Sequence, residues 1–347
     1  MKTHAQQHQA RYRPLTRLGL GGVAIGNGFQ INDDLSVCRT MQAAWDVGIR
    51  YFDTSPLYGM GMSEYRMGSL LAHHPKDEYT LSSQVGRVLC PDELFGNRKH
   101  IWKGSHRSGY RYDYSASGTR RSIEDTLQRM GVSELDMVFI ADISPGNDDM
   151  KSDWEIYFKA AQQGAMPELT RMREEGIIKA WGLGVNHITP ILMTLEVAEP
   201  DTFLLATQYS LIHHEDCLNR VFPACSKRGI SMVIGAPLNA GFLAGKARYN
   251  YGKGYPGGVI RKLESLRNIA ERHEVSLLSA ALQFCAAPDV VSAIVPGAHQ
   301  PEQIREIFHA VNHQEIPASF WEELRMEGLI AENAQVPADR LSMAKLA

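Results

Sequence analysis

The most informative stretch of the sequence is GIRYFDTSPLYGMGMSEYRMG, residues 48–68. It reads as a short strand that ends in Asp53, then a turn rich in Gly and Pro that carries Tyr58, and then the start of a helix. An acid at a strand end with a phenol five residues later would face the mouth of a parallel barrel, where catalysis resides in that architecture. Tyr58 would then donate its proton to a carbonyl oxygen as hydride arrives at the carbon. The alternative is an Asp that caps the turn and a Tyr that packs.

Outward from this stretch, short apolar or β-branched runs alternate with longer amphipathic segments, as in a parallel sheet built from βαβ units. The predicted strands are 19–24, 50–53, 80–85, 137–141, 180–185, 204–207, 231–234 and 291–295. The predicted helices are 35–47, 63–71, 118–130, 167–175, 189–197, 216–227, 259–273 and 301–311. Eight such units predict an α/β protein with a closed (β/α)8 TIM barrel and its site at the carboxyl ends of the strands.

An open doubly wound sheet is the alternative architecture. That fold has a Gly-x-Gly-x-x-Gly fingerprint after its first strand, and LGLGGVAIGN at 18–27 resembles this fingerprint only loosely. Two segments, 90–114 after strand three and 143–163 after strand four, are longer than a connection needs. We expect them to be long loops that shape a substrate pocket, with peripheral insertions as the alternative. Segment 318–331 predicts an extra C-terminal helix. We expect one domain over 15–347 after a flexible tail at 1–14.

The composition excludes several classes of protein. Of 347 residues 44% are hydrophobic and 22% charged, which is typical of a folded globule rather than a disordered chain. A net charge of -3 gives no basic footprint for nucleic acid or anionic membranes. The five cysteines are scattered without metal-ligand spacing, which predicts no metal site and a reducing compartment. Neither an apolar leader nor a long apolar run occurs, so we expect a cytoplasmic protein.

Seven motifs together resemble the aldo-keto reductases, and more narrowly the bacterial branch with sugar, D-threo-aldose and pyridoxal dehydrogenases. They are GGVAIGN (21–27), GIRYFDTSPLYGMGMSE (48–64), GTRRSIEDTLQRMG (118–131), GIIKAWGLGVN (176–186), ATQYSL (206–211), APLNAGFLAG (236–245) and SAIVPGAHQPEQIRE (292–306). The resemblance implies a barrel that uses NADP or NAD to act on small carbonyl compounds or sugars.

The resemblance also implies a catalytic set of Asp, Tyr, Lys and His. Asp53 and Tyr58 match the first two, but LSSQVGR has Gln84 where the family run has Lys, and VFIAD has Ala141 where it has His. Gln84 has no charge to lower the pKa of a phenol from about 10, and Ala141 offers no hydrogen bond to a carbonyl oxygen. We therefore expect weak ordinary reductase activity.

Three explanations for these two residues stay open. The chain is an engineered inactive variant, a natural relative with reassigned chemistry, or a reductase that recruits groups from nearby loops. The candidate recruits are Lys103, His106, His187, His213 and His214, with His187 the first to examine. The histidines also have plain interpretations, since His213 and His214 suit a helix cap and His106 and His187 a surface position.

Several residues are implied as cofactor contacts. Asn186 and Gln208 fall at strand ends where family members hydrogen-bond the nicotinamide carboxamide. The run 236–245 resembles the family's pyrophosphate loop, with a structural turn as the alternative, and 292–306 resembles the run that opens the last barrel helix. Their predicted contacts are Pro237, Leu238, Asn239, Gly241, Gly297, His299 and Gln303.

The choice between NADP and NAD stays open at this stage. His299 stands where family members often carry a basic side chain for the 2′-phosphate of NADP, and Ile307 stands where they carry Asn. Neutral His is a poorer phosphate ligand than Arg.

The leading hypothesis is an NAD(P)-dependent oxidoreductase that interconverts a sugar-like or other small aldehyde or ketone and its alcohol or lactone. The alternatives are a lyase, isomerase or hydrolase, or a small-molecule binder, on the same barrel. Fold alone cannot decide between them, because one barrel hosts many chemistries.

Overall fold

The computed structural model describes residues 12–97, 100–104, 108–252 and 254–337. The strands within these ranges are β1 (Leu20–Gly21), β2 (Tyr51–Asp53), β3 (Thr80–Val85), β4 (Arg87–Pro91), β5 (Ser108–Tyr112), β6 (Met137–Ala141), β7 (Ala180–Val185), β8 (Thr202–Ala206), β9 (Ser231–Gly235) and β10 (Val291–Val295). Eight of them form one parallel sheet in the order β1, β2, β3, β6, β7, β8, β9, β10. The backbone N–H groups of Gly19 and Gly21 donate to carbonyls at the end of β10, so the last strand returns to the first. The predicted (β/α)8 barrel is confirmed.

The barrel sheet is buried on both faces. One set of strand residues fills the interior, namely Tyr51, Met137, Phe139, Ala180, Leu204, Val233, Ala293 and Val295. Their neighbours along the strands, such as Phe52, Val138 and Leu205, belong to the larger core shared with the helices. Burial on two faces explains why strands such as β6 (MVFIA) and β10 (VSAIV) are largely apolar rather than alternating between apolar and polar residues.

The helices surround this sheet. They are α1 (Asp34–Asp46), α2 (Met62–Leu71), α3 (Ala116–Met130), α4 (Trp154–Gln163), α5 (Ala165–Glu174), α6 (Thr189–Val197), α7 (Phe222–Lys227), α8 (Val259–Arg272), α9 (Leu277–Ala286), α10 (Pro301–Asn312) and α11 (Ala318–Met326). Side-chain caps begin some of them, since the Asp33 carboxylate accepts from the backbone N–H of Ser36 and the Ser115 hydroxyl from that of Gly118.

Two of these helices were not predicted. Segment 143–163, expected to be a loop, contains α4, whose Trp154, Phe158 and Ala161 recur at helical spacing and are buried. Helix α9 is apolar around most of its circumference, so it lacks the polar face by which amphipathic helices are recognised. A π-helical turn, Cys217–Val221, begins the predicted 216–227 helix, and the predicted C-terminal helix ends at Met326.

The segment after β3 also differs from the expected loop. Strands β4 and β5 pair antiparallel as a hairpin, in a two-stranded sheet separate from the barrel. The predicted first strand, 19–24, is shortened because residues 22–28 form turns closed by hydrogen bonds from Gly26 to Gly22 and from Gly28 to Val23.

Residues 1–11 of the expected tail lie outside the described residues. The next residues contact the barrel, because the Tyr12 carbonyl accepts from the Ser231 hydroxyl at 2.8 Å and the Arg13 guanidinium donates to the Asp289 carbonyl at 2.8 Å. In the part of the chain that the structure describes, no helix combines the length and apolarity that crossing a membrane requires.

Candidate active site

The carboxyl ends of the barrel strands open onto a mouth with unusual backbone geometry. Asp142, Thr207 and Ala236 follow β6, β8 and β9 directly, and each has a positive φ, at 30°, 67° and 48°. Non-glycine residues seldom adopt this region, and such residues concentrate at functional sites. The backbone geometry therefore indicates that the functional site lies at this end of the barrel.

Two adjoining cavities lie at the mouth. The central cavity, of about 490 Å³, is lined by Tyr58 and Gln84 among others. The lateral cavity, of about 350 Å³, extends toward the start of α10. Val23 and Tyr251 line both, so the two cavities adjoin at these residues.

Asp53, at the end of β2, lines neither cavity and has 2% of its surface exposed. Its carboxylate accepts a hydrogen bond from the Ser82 hydroxyl at 2.6 Å, and the Tyr51 hydroxyl lies 3.0 Å from the same Ser82 oxygen. Among the described residues no cation pairs with Asp53. Burial raises the pKa of Asp53 to about 7, against the opposing effect of the Ser82 hydrogen bond. The carboxyl group is therefore partly protonated near neutral pH.

Tyr58 and Gln84 meet at the wall of the central cavity. Gln84 Nε2 donates to the Tyr58 hydroxyl at 3.4 Å, and Gln84 Oε1 accepts from the Ser55 hydroxyl at 3.2 Å. Burial raises the pKa of Tyr58 well above its usual value, and the nearby Asp53 raises it further, while the Gln84 hydrogen bond lowers it. Tyr58 is thus a protonated phenol that can act as a proton donor. Trp102 packs beside it, with ring centroids 5.6 Å apart.

Ala141 does not reach the cavity surface. Only 1% of its surface is exposed, and its carbonyl accepts a hydrogen bond from the Tyr114 hydroxyl at 2.9 Å. The next residue, Asp142, lines the central cavity instead.

Arg87 is a cavity residue that the sequence analysis missed. Gly86, at φ 100°, turns β3 into β4 against the Tyr114 ring, where a Cβ atom would come within 2.1 Å of that ring. The Arg87 guanidinium then lies over the rings of Tyr110 and Tyr112, 5.5 and 5.6 Å from their centroids. Its position depends on the hairpin, and the only sequence signal is its place at the end of the LSSQVGR run.

Asn186 and Gln208, the two predicted carboxamide ligands, both line the central cavity. The backbone N–H of Asn186 donates to the Asp142 carboxylate at 3.4 Å, and the Gln208 amide donates to the Thr207 hydroxyl at 3.3 Å. The structure thus brings both amides to the cavity that holds Tyr58.

The lateral cavity contains most of the other predicted cofactor contacts, namely Pro237, Leu238, Gly241, Gly297, His299 and Gln303. Asn239 is different, because it is fully buried and its amide donates to Asn250 Oδ1 at 2.9 Å. It braces residues 239–250 from within rather than lining the cavity.

His299 is neutral at ordinary pH. Burial lowers its pKa to about 4, with Arg248 and Lys246 lowering it further. Asn32 Nδ2 donates to His299 Nδ1 at 2.9 Å, which assigns the ring proton to Nε2. The backbone N–H of His299 donates to Gln303 Oε1 at 2.8 Å.

Two cations of the lateral cavity, Lys246 and Arg248, were also missed. They follow directly on the 236–245 run, and that adjacency was the available signal. The Arg248 guanidinium lies 3.9 Å from the Phe29 ring centroid, and its Nε donates to the Ala240 carbonyl at 2.6 Å. Glu306 adds one acidic group to the same lining.

The proposed recruits do not line the central cavity where the structure describes them. Buried His214 contacts the Ser210 carbonyl at 3.0 Å and accepts from the backbone N–H of Ala331 at 3.1 Å, and burial lowers its pKa to about 4. His187 Nδ1 accepts from the backbone N–H of Thr189 at 3.2 Å. Neither Lys103 nor His213 lines the cavity, and His106 lies outside the described residues.

Comparisons with solved structures agree with this architecture. An aldo-keto reductase from Bacillus halodurans, in its holo form, matches with a TM-score of 0.68 at 22% identity, covering 94% of this chain and 99% of that one. The glycerol dehydrogenase from Gluconobacter oxydans matches with a TM-score of 0.66 at 20% identity, covering 93% and 94%. At these identities the matches show the fold alone.

Comparisons of sequence go further. A pyridoxal 4-dehydrogenase from Microbacterium luteolum is 34% identical over 332 residues, 91% of this chain and 95% of the relative. A D-threo-aldose 1-dehydrogenase from a Pseudomonas species is 31% identical over 325 residues, 90% and 94%. The model of the Aldo/keto reductase family matches residues 17–326. This chain therefore belongs to the aldo/keto reductase family and is an oxidoreductase.

Proposed function

We propose that this chain interconverts a sugar-like or other small aldehyde or ketone and its alcohol or lactone with NADP or NAD, using a catalytic set in which Gln84 and Ala141 replace Lys and His. The observation that carries the proposal is that the central cavity, which Tyr58 lines, adjoins the lateral cavity at Val23 and Tyr251. The sugar and pyridoxal dehydrogenases among its relatives support the choice of substrate class.

The described residues fit a nicotinamide dinucleotide. Asn186 and Gln208 offer amides in the cavity that Tyr58 lines, and Lys246 and Arg248 offer positive charge for a pyrophosphate in the adjoining one. When bound, the nicotinamide ring supplies hydride to a carbonyl carbon or accepts it from an alcohol or lactol carbon.

Tyr58 carries the proton in this scheme. Its phenol oxygen donates a proton to the substrate oxygen in reduction and takes one back in oxidation. Because Gln84 Nε2 already donates to that oxygen, the phenol's own proton is left for the cavity side. Gln84 steadies the tyrosinate through a neutral hydrogen bond, which is weaker than one from an ammonium group.

The electrostatics favour slow chemistry. The pKa of Tyr58 is raised by burial and by Asp53, so the tyrosinate that forms as the proton leaves is costly. General acid–base groups typically contribute about two to four powers of ten in rate. We expect turnover to be slower, by part of that amount, than in a site with the family's Lys and His. Cofactor binding does not depend on this proton and is expected to be intact.

The first experiment is a fluorescence titration of the full chain with NADPH and with NADH, following nicotinamide emission and tryptophan quenching. We expect saturable micromolar binding of at least one, followed by measurable turnover across a panel of aldoses and aldehydes. Tyr58→Phe should lower kcat by about two to four powers of ten and leave cofactor affinity unchanged. Tyr65→Phe, at an exposed tyrosine of α2, is the matched control.

The other outcomes identify the alternatives. Absence of cofactor-dependent turnover across the panel contradicts the proposal. Product formation without cofactor would indicate a lyase, isomerase or hydrolase, and tight ligand binding without turnover would indicate a binding protein.

A further inference from the structure

The Arg87 guanidinium is an unsatisfied cation at the central cavity. Its side chain is 6% exposed and lines the cavity, yet within the described residues none of its N–H groups makes a hydrogen bond, and Nε is buried without a partner. A guanidinium has five N–H donors, and buried donors are almost always paired. A ligand in the cavity would supply the missing acceptors.

Asp142 is the nearest charged neighbour of Arg87. Its Oδ1 accepts from the Ser144 hydroxyl at 2.8 Å and from the backbone N–H of Asn186 at 3.4 Å. Its Oδ2 lies 3.8 Å from Arg87 Nη2, too far for a direct hydrogen bond. Asp142 Oδ1 is thus hydrogen-bonded within the protein, and Oδ2 is ion-paired with a guanidinium that makes no hydrogen bond among the described residues.

The backbone holds Asp142 firmly in this position. Its φ of 30° is sustained by two contacts, from its N–H to the Gly184 carbonyl at 2.7 Å and from the Asn147 amide to its own carbonyl at 2.8 Å. Strained backbone of this kind persists only where the surroundings fix it, and it clusters at ligand sites.

The opposite charges of Arg87 and Asp142 determine which chemical groups of a ligand can bind beside both. A carboxylate bound to Arg87 would lie against Asp142, with Asp148 and Asp149 on the same cavity wall, so like charges oppose it. An alkyl chain would leave both groups unpaired. A hydroxyl group accepts from a guanidinium and donates to a carboxylate, so neighbouring hydroxyl groups satisfy both partners at once.

Aromatic rings frame the same site. Tyr110 lies under the Arg87 guanidinium, and its hydroxyl donates to Asp149, while Trp102 lines the cavity beside Tyr58. These rings offer apolar faces to the carbon skeleton of a polyol while its hydroxyl groups meet the charged pair.

We propose that Arg87 and Asp142 form a hydroxyl-recognition pair that selects substrates with hydroxyl groups on adjacent carbons. The pair binds the part of the substrate beyond the carbonyl, which lies at Tyr58 on the same cavity. This inference rests on the proposed function for the identity of the reacting group, but the binding that it predicts needs no cofactor.

The test is a cofactor-free titration of the full chain, followed by tryptophan fluorescence and calorimetry, with three probes. Xylitol carries adjacent hydroxyl groups, 1,5-pentanediol carries separated ones, and succinate carries carboxylates. We expect xylitol to bind more tightly than either of the others. Arg87→Met and Asp142→Asn should each weaken xylitol binding by about tenfold to a hundredfold, the usual effect of losing a hydrogen bond to a charged group.

Two further variants separate recognition from folding. Arg87→Lys keeps the charge and should retain part of the xylitol affinity. Arg111→Met, on β5 with an exposed side chain, is the matched control and should bind xylitol like the unmodified chain. Circular dichroism and thermal unfolding of each variant show whether it is folded, and the Asp142 result stands if Arg87→Met is not.

Several results would contradict the proposal that Arg87 and Asp142 recognise hydroxyl groups. These are preferential binding of succinate, equal binding of the two polyols, no binding of any probe, and xylitol affinity unaffected by both Arg87→Met and Asp142→Asn. Failure of the redox proposal has a different signature, namely absent cofactor binding or turnover while the xylitol preference persists. If turnover is present, Arg87→Met should raise KM for a polyhydroxylated aldehyde without raising it for its deoxygenated analogue.

Discussion

Replacing Gln84 by lysine puts an ammonium group close to where Gln84 Nε2 now lies, 3.4 Å from the Tyr58 hydroxyl. The change adds a positive charge beside a phenol whose pKa is held high by burial and by Asp53. A nearby cation stabilises the tyrosinate and lowers the pKa of the phenol. We therefore expect Gln84→Lys to speed proton transfer at Tyr58.

The size of the effect follows from the geometry. Two unit charges about 4 Å apart interact by about 4 kcal/mol at an effective dielectric constant of about 20, which makes the phenol about a thousandfold stronger as an acid. Desolvation of the new ammonium group offsets part of this. We expect kcat to rise by roughly tenfold or more.

The assay is the pH dependence of kcat for NAD(P)H-dependent reduction of the best substrate from the aldose and aldehyde panel. The basic limb of the Gln84→Lys profile should move to lower pH, because the phenol loses its proton more easily. Gln84→Met, which removes the hydrogen bond without adding charge, is the control and should not raise kcat. If the Gln84→Lys and unmodified profiles coincide in height and shape, Tyr58 is not the proton donor, or Gln84 does not govern it.

Three further predictions concern the surroundings of the site. Asp53 has a pKa raised to about 7 by burial, so its contribution to stability is present below the unfolded value near 3.8 and is lost as pH rises through about 7. Asp53→Asn should therefore raise Tm relative to the unmodified chain at pH 8 but not at pH 4, and equal Tm differences at both would contradict this. His299→Arg should tighten NADPH binding relative to NADH by about tenfold, because a guanidinium clamps a 2′-phosphate where neutral imidazole does not; an unchanged affinity ratio in fluorescence titrations would place the 2′-phosphate elsewhere. His214→Ala should lower the free energy of unfolding by about 2 to 4 kcal/mol in urea titrations, since it removes a buried ring and leaves two backbone groups unpaired; lost turnover with unchanged stability would instead indicate a recruited catalytic histidine.

The barrel could be predicted because most of its strands, with β3 (TLSSQV) as the exception, are largely apolar runs followed by polar residues. Strands 80–85, 137–141, 180–185 and 291–295 were predicted with the bounds that the structure has. Helix α9 could not be recognised, because apolar residues on nearly all sides give no helical periodicity. The hairpin β4–β5 was missed because its strands are only partly buried and flank a segment rich in Gly, Arg and Lys.

Some residues of the site could likewise be predicted from the sequence, and others could not. Asn186 and Gln208 reach the central cavity because residues at the carboxyl ends of parallel strands converge there, and their place at predicted strand ends together with the family resemblance indicated them. Arg87 and Asp142 became visible only in three dimensions, since one depends on a hairpin and the other on a left-handed backbone turn. Asn239 occurs in a loop run that resembles a ligand-binding one, yet its own side chain faces inward.

The hairpin β4–β5 forms a sheet of its own, outside the eight-stranded sheet of the barrel. It carries Arg87, Tyr110 and Tyr112, none of which lines the lateral cavity, although residues 101–103 of its loop hydrogen-bond to residues 27–29 beside that cavity. The two strands of the hairpin are therefore separate from the hydrogen bonding of the barrel sheet. Exchanging the two strands of the hairpin while keeping residues 101–103 would alter which molecules the enzyme accepts and leave the register of the barrel as it is.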